Sequence, residues 1–205
     1  MKQRLTGLAV TVTAAGVVGL VGLAQPAGAG SAQLASAGSA SESAAASGPA
    51  SACAVKWGSH AKRAVSKGAS GSASLTNVRA GRHACFDRLV LNIARSGEAR
   101  VRYVRAVPYE GRDGYIPLRG GAFLEIITGP SYDVNTGKST YSPKNPRELV
   151  NVSGYRTFRQ AATGGSFEGQ TTLGLGVRSR LPFRVLPVSG PGKGSRIVID
   201  VAHTW

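Results

Sequence analysis

Arginine is the residue type in this sequence that most clearly points to a chemical role. The 205-residue chain has 25 Lys and Arg against 10 Asp and Glu, which gives a formal net charge of +15. Arg100 and Arg102 alternate with apolar residues on one predicted strand, and Arg178 and Arg180 would share a second face if their strand stays extended. Because guanidinium forks match carboxylates and phosphates, these four are the candidate ligand-binding residues. The alternative is a charged strand face that contacts only water.

Catalytic and metal-binding patterns are not evident in the sequence. His60, His83 and His203 are scattered, and no H-x-x-x-H or C-x-x-C pattern accompanies them, so we predict no metal site. No serine stands in a G-x-S-x-G motif. Asp87 and Asp200 could act as acid and base only if the fold brought them together, and Asp87 is more simply a surface ion pair or a turn cap. We therefore predict neither an enzyme nor a cofactor.

Alternating apolar residues predict that the folded part of the chain is all-β. Turns rich in Gly, Pro and Asn separate the apolar stretches, as in a sandwich or a barrel. We expect a small β-sandwich or barrel-like domain of seven or eight strands, and only 145–149 looks helical, for a turn or two at most. The clearest strand patterns cover 86–93, 100–103, 123–127, 171–177, 183–185 and 197–201.

The first 29 residues have the layout of a secretory signal peptide. Lys2 and Arg4 precede an apolar stretch over 5–24, and small residues place the predicted cleavage after Ala29. An uncleaved membrane anchor is the alternative. No later stretch approaches the roughly 20 apolar residues that a membrane span needs. The sequence therefore predicts a secreted, extracellular protein that associates with the cell wall.

A spacer and a tethered extension are predicted between the signal peptide and the main domain. Residues 30–51 are almost all Ala, Ser and Gly, which predicts a disordered linker. Cys53 and Cys85 are the only two cysteines, and a pair in an exported chain predicts one disulfide, with a redox-active pair as the alternative. This bond would tether an N-terminal extension, 52–74, to a domain over 75–205.

The stretch 75–90, LTNVRAGRHACFDRLV, resembles the start of the AMIN-like domain of secreted actinobacterial proteins. Similar stretches at 101–104, 166–178 and 199–203 extend the resemblance over 75–205. The wider AMIN domain, which is similar in outline, accompanies cell-wall amidases and pilus secretins, forms a sandwich of small β-sheets and binds peptidoglycan. The resemblance implies a non-catalytic module of the cell envelope, with no catalytic residues to transfer.

Charge and resemblance together predict a secreted, non-catalytic module that binds peptidoglycan or another anionic wall polymer, such as teichoic acid, through its strand arginines. A protein-interaction module of the envelope and a nonspecific polyanion or nucleic-acid binder are the alternatives. Salt dependence distinguishes the polyanion binder from the other two classes, because the logarithm of its affinity would fall steeply and linearly with the logarithm of the salt concentration.

Overall fold

The strands of the computed structural model form two antiparallel sheets within the residues that it describes, 53–68 and 71–205. The predicted signal peptide and spacer, 1–29 and 30–51, lie outside this described part. The predicted all-β sandwich is confirmed, with nine strands in the described residues where seven or eight were expected. The strands are β1 (Lys62–Ser66), β2 (Leu75–Arg82), β3 (Phe86–Ile93), β4 (Gly97–Val104), β5 (Ala122–Thr128), β6 (Phe158–Phe167), β7 (Gln170–Val177), β8 (Phe183–Ser189) and β9 (Ser195–Ala202).

Apolar residues on alternating positions pack the two sheets against each other. The five-stranded sheet has the order β1-β4-β5-β7-β6, and the four-stranded sheet has the order β2-β3-β9-β8. In β3, Leu89 and Leu91 point inward and lie opposite Ile199 and Ile197 of β9. Their side chains join those of the five-stranded sheet, such as Leu124, in one buried core. Burying these side chains is the main stabilising contribution to the fold.

Residues 105–121, which we call the covering segment, fold over part of the outer face of the five-stranded sheet. Val107 and Ile116 pack on Ala162 of β6 in a second, smaller buried cluster. Gly176 of β7 permits this close approach, because a Cβ there would stand 1.9 Å from the carbonyl oxygen of Arg119 in the covering segment. The covering segment leaves the outer faces of β1 and β4 open, as their exposed charged side chains show.

The described part of the predicted extension over 52–74 is built into the sandwich. The Cys53–Cys85 disulfide is present, as the sequence predicted, and joins this segment to the start of β3. Its strand β1 pairs with β4 at the edge of the five-stranded sheet. The backbone N–H of Phe183 donates to the carbonyl of Gly58 at 2.9 Å, which attaches the segment to the four-stranded sheet as well.

The segment 145–149, expected to be helical for a turn or two, forms a turn beside β6 and no regular helix. The N–H of Leu149 donates to the carbonyl of Ala161 at 2.8 Å, and the N–H of Thr163 donates to the carbonyl of Pro146 at 2.8 Å. The unpaired edge of β6 offers these backbone partners, and proline disfavours the helical conformation of the residue before it. Tertiary pairing therefore overrides the local helical pattern.

Asp87 is buried, which corrects the expectation of a surface ion pair or a turn cap. Its Oδ2 accepts the backbone N–H of Thr157 at 2.6 Å and that of Phe158 at 3.1 Å. Its Oδ1 lies 3.2 Å from Nε2 of His203, whose Nδ1 lies 3.2 Å from the carbonyl oxygen of Ala84. A buried carboxylate needs such partners, because burying it without them would be costly. This group of contacts connects three distant segments of the chain.

Candidate functional site

The open outer face of β1, β4 and β5 contains a groove of about 420 Å³, which we call the basic groove. Strand register assembles it: Arg63 of β1 lies opposite Arg100 of β4, and Arg102 lies opposite Glu125 of β5. Cross-strand partners point to the same face of a sheet, so these side chains meet although they come from three strands. Lys62 borders the groove, but it pairs with the buried Val101, and its ammonium group lies 4.8 Å from the ring centroid of Phe183, away from the open face.

Two carboxylates hold the arginines of the basic groove in position. Glu98 accepts from Arg63 Nη2 at 2.5 Å and from Arg100 Nε at 2.8 Å, and hydrogen bonding from Arg63 is the main reason why its pKa falls to about 2. Glu125, whose side chain is only 3% exposed, accepts from Arg102 Nε at 2.5 Å. This hydrogen bond raises the pKa of Arg102. The groove region thus combines three arginines with two carboxylates and keeps an excess of positive charge.

Arg100 and Arg102 keep most of their hydrogen-bond donors available. Each uses its Nε in the ion pair, and within the described part of the chain no acceptor takes a hydrogen bond from their Nη groups. Their side chains are 66% and 61% exposed. Guanidinium groups with free Nη atoms can bind the oxygens of a carboxylate or phosphate in pairs. The groove can therefore bind an anionic group without moving either ion pair.

The groove continues beyond Arg100 into a second depression of about 210 Å³. The two depressions share Arg100 and Ile127, and the second reaches Gly169 and Gln170 at the turn between β6 and β7. Adjacent strands lie about 4.8 Å apart. The combined depression crosses several strands, so an extended ligand has room to contact more than one arginine.

The other predicted pair, Arg178 and Arg180, lies outside the basic groove. Strand β7 ends at Val177, so these two residues belong to the connection to β8 and do not share a strand face as the sequence suggested. Arg178 Nη2 donates to the carbonyl of His203. Arg180 lies over the ring of Tyr103, with its Cζ 4.9 Å from the ring centroid. Their guanidinium groups contact the body of the domain, whereas those of Arg100 and Arg102 face the open groove.

The sequence analysis missed Arg63, Glu98 and Glu125, although two of them left a signal. Glu98 shares the strand parity of Arg100, and Glu125 interrupts an otherwise apolar run in β5. A charged residue within an apolar strand indicates a partner on a neighbouring strand. The identity of that partner depends on strand order, which the sequence pattern does not give.

Asp87 and Asp200, the conditional acid–base pair, lie on opposite faces of the four-stranded sheet. Asp87 pairs across the strands with Val201, whereas Asp200 pairs with Arg88, and neighbouring positions on a strand alternate in direction. Among residues 53–68 and 71–205, no three His, Cys, Asp or Glu side chains come together in a way that could hold a metal ion. The same part of the chain has no helix of the length and hydropathy that a bilayer span requires.

The comparisons with known proteins give one result. The family model of the AMIN-like domain matches residues 73–203, which cover both sheets except β1. Neither the comparison with curated proteins nor the comparison with solved structures finds a match. An AMIN-like domain suggests an envelope-associated or extracellular module, and such domains are generally non-catalytic. The match covers more than half of the sequence and agrees with the resemblance of the motifs, so the chain belongs to the AMIN-like domain family.

Proposed function

We propose that this protein is a secreted, non-catalytic module that binds an anionic polymer of the cell envelope, peptidoglycan or teichoic acid, through the basic groove. The observation that carries the proposal is the row of exposed arginines, Arg63, Arg100 and Arg102, on a part of the outer sheet face that the covering segment leaves open. The family supports the envelope as the place of action.

The paired carboxylates favour binding because they hold the arginines before a ligand arrives. Glu98 and Glu125 fix the Nε atoms of Arg100 and Arg102, so less side-chain entropy is lost when the Nη atoms bind a ligand. A single exposed ion pair contributes only about 0–1 kcal/mol. Useful affinity would come from several such contacts along one polymer, and a repeating anionic chain provides them.

Co-sedimentation of the purified full chain with isolated Gram-positive cell walls tests this proposal. Walls with and without teichoic acid would be compared across a salt series. Retention on stripped walls at about 0.5 M salt, where the Debye length is only about 4–5 Å, would identify peptidoglycan as the ligand. Binding that disappears on stripping would identify teichoic acid. Absence of binding to both preparations would overturn the proposal.

Charge-matched variants locate the site. Arg100→Gln with Arg102→Gln removes two charges from the groove. We expect the affinity for the walls to fall about tenfold, since two contacts of up to about 1 kcal/mol each are lost and about 1.4 kcal/mol corresponds to a factor of ten. Arg147→Gln with Arg156→Gln removes two exposed charges elsewhere and should have little effect. Equal losses in the two double variants would show attraction by overall charge and refute a groove site.

The pair Arg178 and Arg180, predicted from the sequence, is tested in the same assay by replacing both with glutamine. We expect a smaller loss than for Arg100 and Arg102, because Arg178 is bonded to a backbone carbonyl and Arg180 is stacked on a tyrosine. A larger loss would move the site to the β7–β8 connection. Binding to an envelope protein that is insensitive to salt would favour a protein-interaction module instead.

A further inference from the structure

A second arrangement of arginines lies on the outer face of the other sheet. Arg88 of β3, Asp200 of β9 and Arg184 of β8 form one cross-strand row. Arg88 donates to both oxygens of Asp200, from Nε at 2.6 Å and from Nη2 at 2.9 Å, and Arg184 Nε donates to Oδ2 at 2.8 Å. The side chain of Asp200 is fully buried beneath them. Two positive charges thus share one carboxylate.

Aromatic rings hold the two guanidinium groups from the side. The Cζ of Arg184 lies 4.3 Å from the ring centroid of Trp57, and the Cζ of Arg88 lies 5.1 Å from that of Phe86. The two rings contact each other edge to face, with centroids 5.6 Å apart. Cation–π contacts of this kind restrain a guanidinium that an ion pair already holds at one end.

The Cys53–Cys85 disulfide fixes the aromatic side of this arrangement. Phe86 directly follows one cysteine, and Trp57 lies four residues after the other. The bond therefore keeps Trp57, which comes from outside the four-stranded sheet, against Arg184 and Phe86. The disulfide holds the two aromatic rings and the ion pairs with Asp200 hold the two arginines, so the geometry of the site is formed before any ligand binds.

Most of the donors in this row remain unused. A guanidinium has five N–H donors, and Asp200 accepts two hydrogen bonds from Arg88 and one from Arg184. Within the described residues, nothing accepts a hydrogen bond from Nη1 of Arg88 or from either Nη of Arg184. The two side chains are 29% and 34% exposed, so solvent and ligands reach them.

We propose that Arg88 and Arg184 form a second anion-binding site, separate from the basic groove, for a carboxylate or phosphate group carried by a ligand. The buried Asp200 orients both guanidinium groups through their Nε atoms, and the pair keeps one net positive charge. A single arginine would be sufficient to neutralise Asp200. The second arginine, restrained on Trp57 with both Nη groups free, is the feature that a purely structural ion pair does not require.

Fluorescence of Trp57 tests this site directly. Replacing the exposed Trp205 with Phe makes Trp57 the only tryptophan in the full chain, and its ring contacts the guanidinium that would bind the anion. The probes are trigalacturonate for a carboxylate and glycerol 3-phosphate for a phosphate. We expect a saturable change in emission with at least one probe, and the stronger probe identifies the preferred group.

Three variants in the same background separate the site from general charge. Arg184→Lys keeps the charge and can still pair with Asp200 but loses the fork, so we expect about tenfold weaker binding with an unchanged melting temperature. Arg79→Gln, on the same sheet face, and Arg102→Gln, in the basic groove, should leave the probe concentration at half-maximal fluorescence change unaltered. No saturable signal, or equal weakening by Arg184→Lys and Arg79→Gln, would overturn the proposal whether or not the groove binds wall polymer.

Discussion

Asp87 allows a quantitative test of the buried contacts that connect distant segments of the chain. Alanine at this position leaves the buried N–H groups of Thr157 and Phe158 without an acceptor. Each such orphaned donor costs about 1–3 kcal/mol, so the expected loss of unfolding free energy is about 4 kcal/mol. For a domain of about 150 residues, 1 kcal/mol corresponds to about 2–4 °C in melting temperature. Asp87→Ala should therefore melt about 8–16 °C below the wild type.

Asp87→Asn should fall between the wild type and the alanine variant. The Asn oxygen can still accept from both backbone N–H groups, so only the charge contribution to those hydrogen bonds is lost. When the His203 ring is neutral with its proton on Nδ1, which lies 3.2 Å from the carbonyl oxygen of Ala84, the Asn amide can donate to Nε2. Charged acceptors bind about twice as strongly as neutral ones, which gives a cost of about 1–2 kcal/mol.

Thermal unfolding of the full chain, followed by circular dichroism, measures both variants. Asp113→Ala is the matched control, because it removes an acidic side chain that is exposed in the covering segment. It should melt within about 2 °C of the wild type, as surface substitutions usually change stability by less than 0.5 kcal/mol. A melting temperature for Asp87→Ala as close to the wild type as this control would refute the assigned role of the buried carboxylate.

Three further predictions follow from contacts elsewhere in the domain. Cys53→Ser with Cys85→Ser should lower stability by about 3–4 kcal/mol for a separation of 32 residues, measured by urea unfolding. Since the folded pKa of Glu98 is lowered to about 2, its pairing stabilises the protein above pH 4.5 and is lost as the pH falls towards 2. Urea unfolding of Glu98→Gln should therefore show less loss of stability over that range than the wild type. Gly176→Ala should displace the covering segment and destabilise the domain by about 1–3 kcal/mol. Gly81→Ala is the control, because a Cβ there meets nothing closer than 3.8 Å, and it should have neither effect. Limited proteolysis within 105–121 measures the displacement.

The all-β class and much of the core could be predicted because β3 and β9 alternate cleanly. Leu89, Leu91, Ile197 and Ile199 were placed on shared faces by parity alone, and all four are buried. Strand β6 was missed, because its run of Gln, Ala, Thr and Gly has no alternation and its burial comes from the covering segment on one face and the core on the other. Alternation is evident only where one face of a strand meets water.

The candidate site could be predicted only in part, because strand pairing decides which charges meet. Arg100 and Arg102 share a parity on one strand, and the structure places both in the same groove. Arg178 and Arg180 also share a parity, but the strand ends before them. The environment of Asp200 could not be predicted either, because Arg88 lies 112 residues away in the sequence and reaches it only through the pairing of β3 with β9.

The packing of the two sheets face to face has a consequence for valency. Packed sheets lie about 10 Å apart, and the basic groove and the Arg88–Arg184 pair are on their opposite outer faces. A single sugar or phosphate unit cannot contact both, so a domain that uses both sites binds two ligand segments at once. Such a divalent domain crosslinks polymer chains when protein sites and polymer segments are present in similar numbers. When the protein is in large excess, each segment is occupied by a separate domain and the chains are not crosslinked. The turbidity of a mixture with soluble polymer would then rise and fall as protein is added.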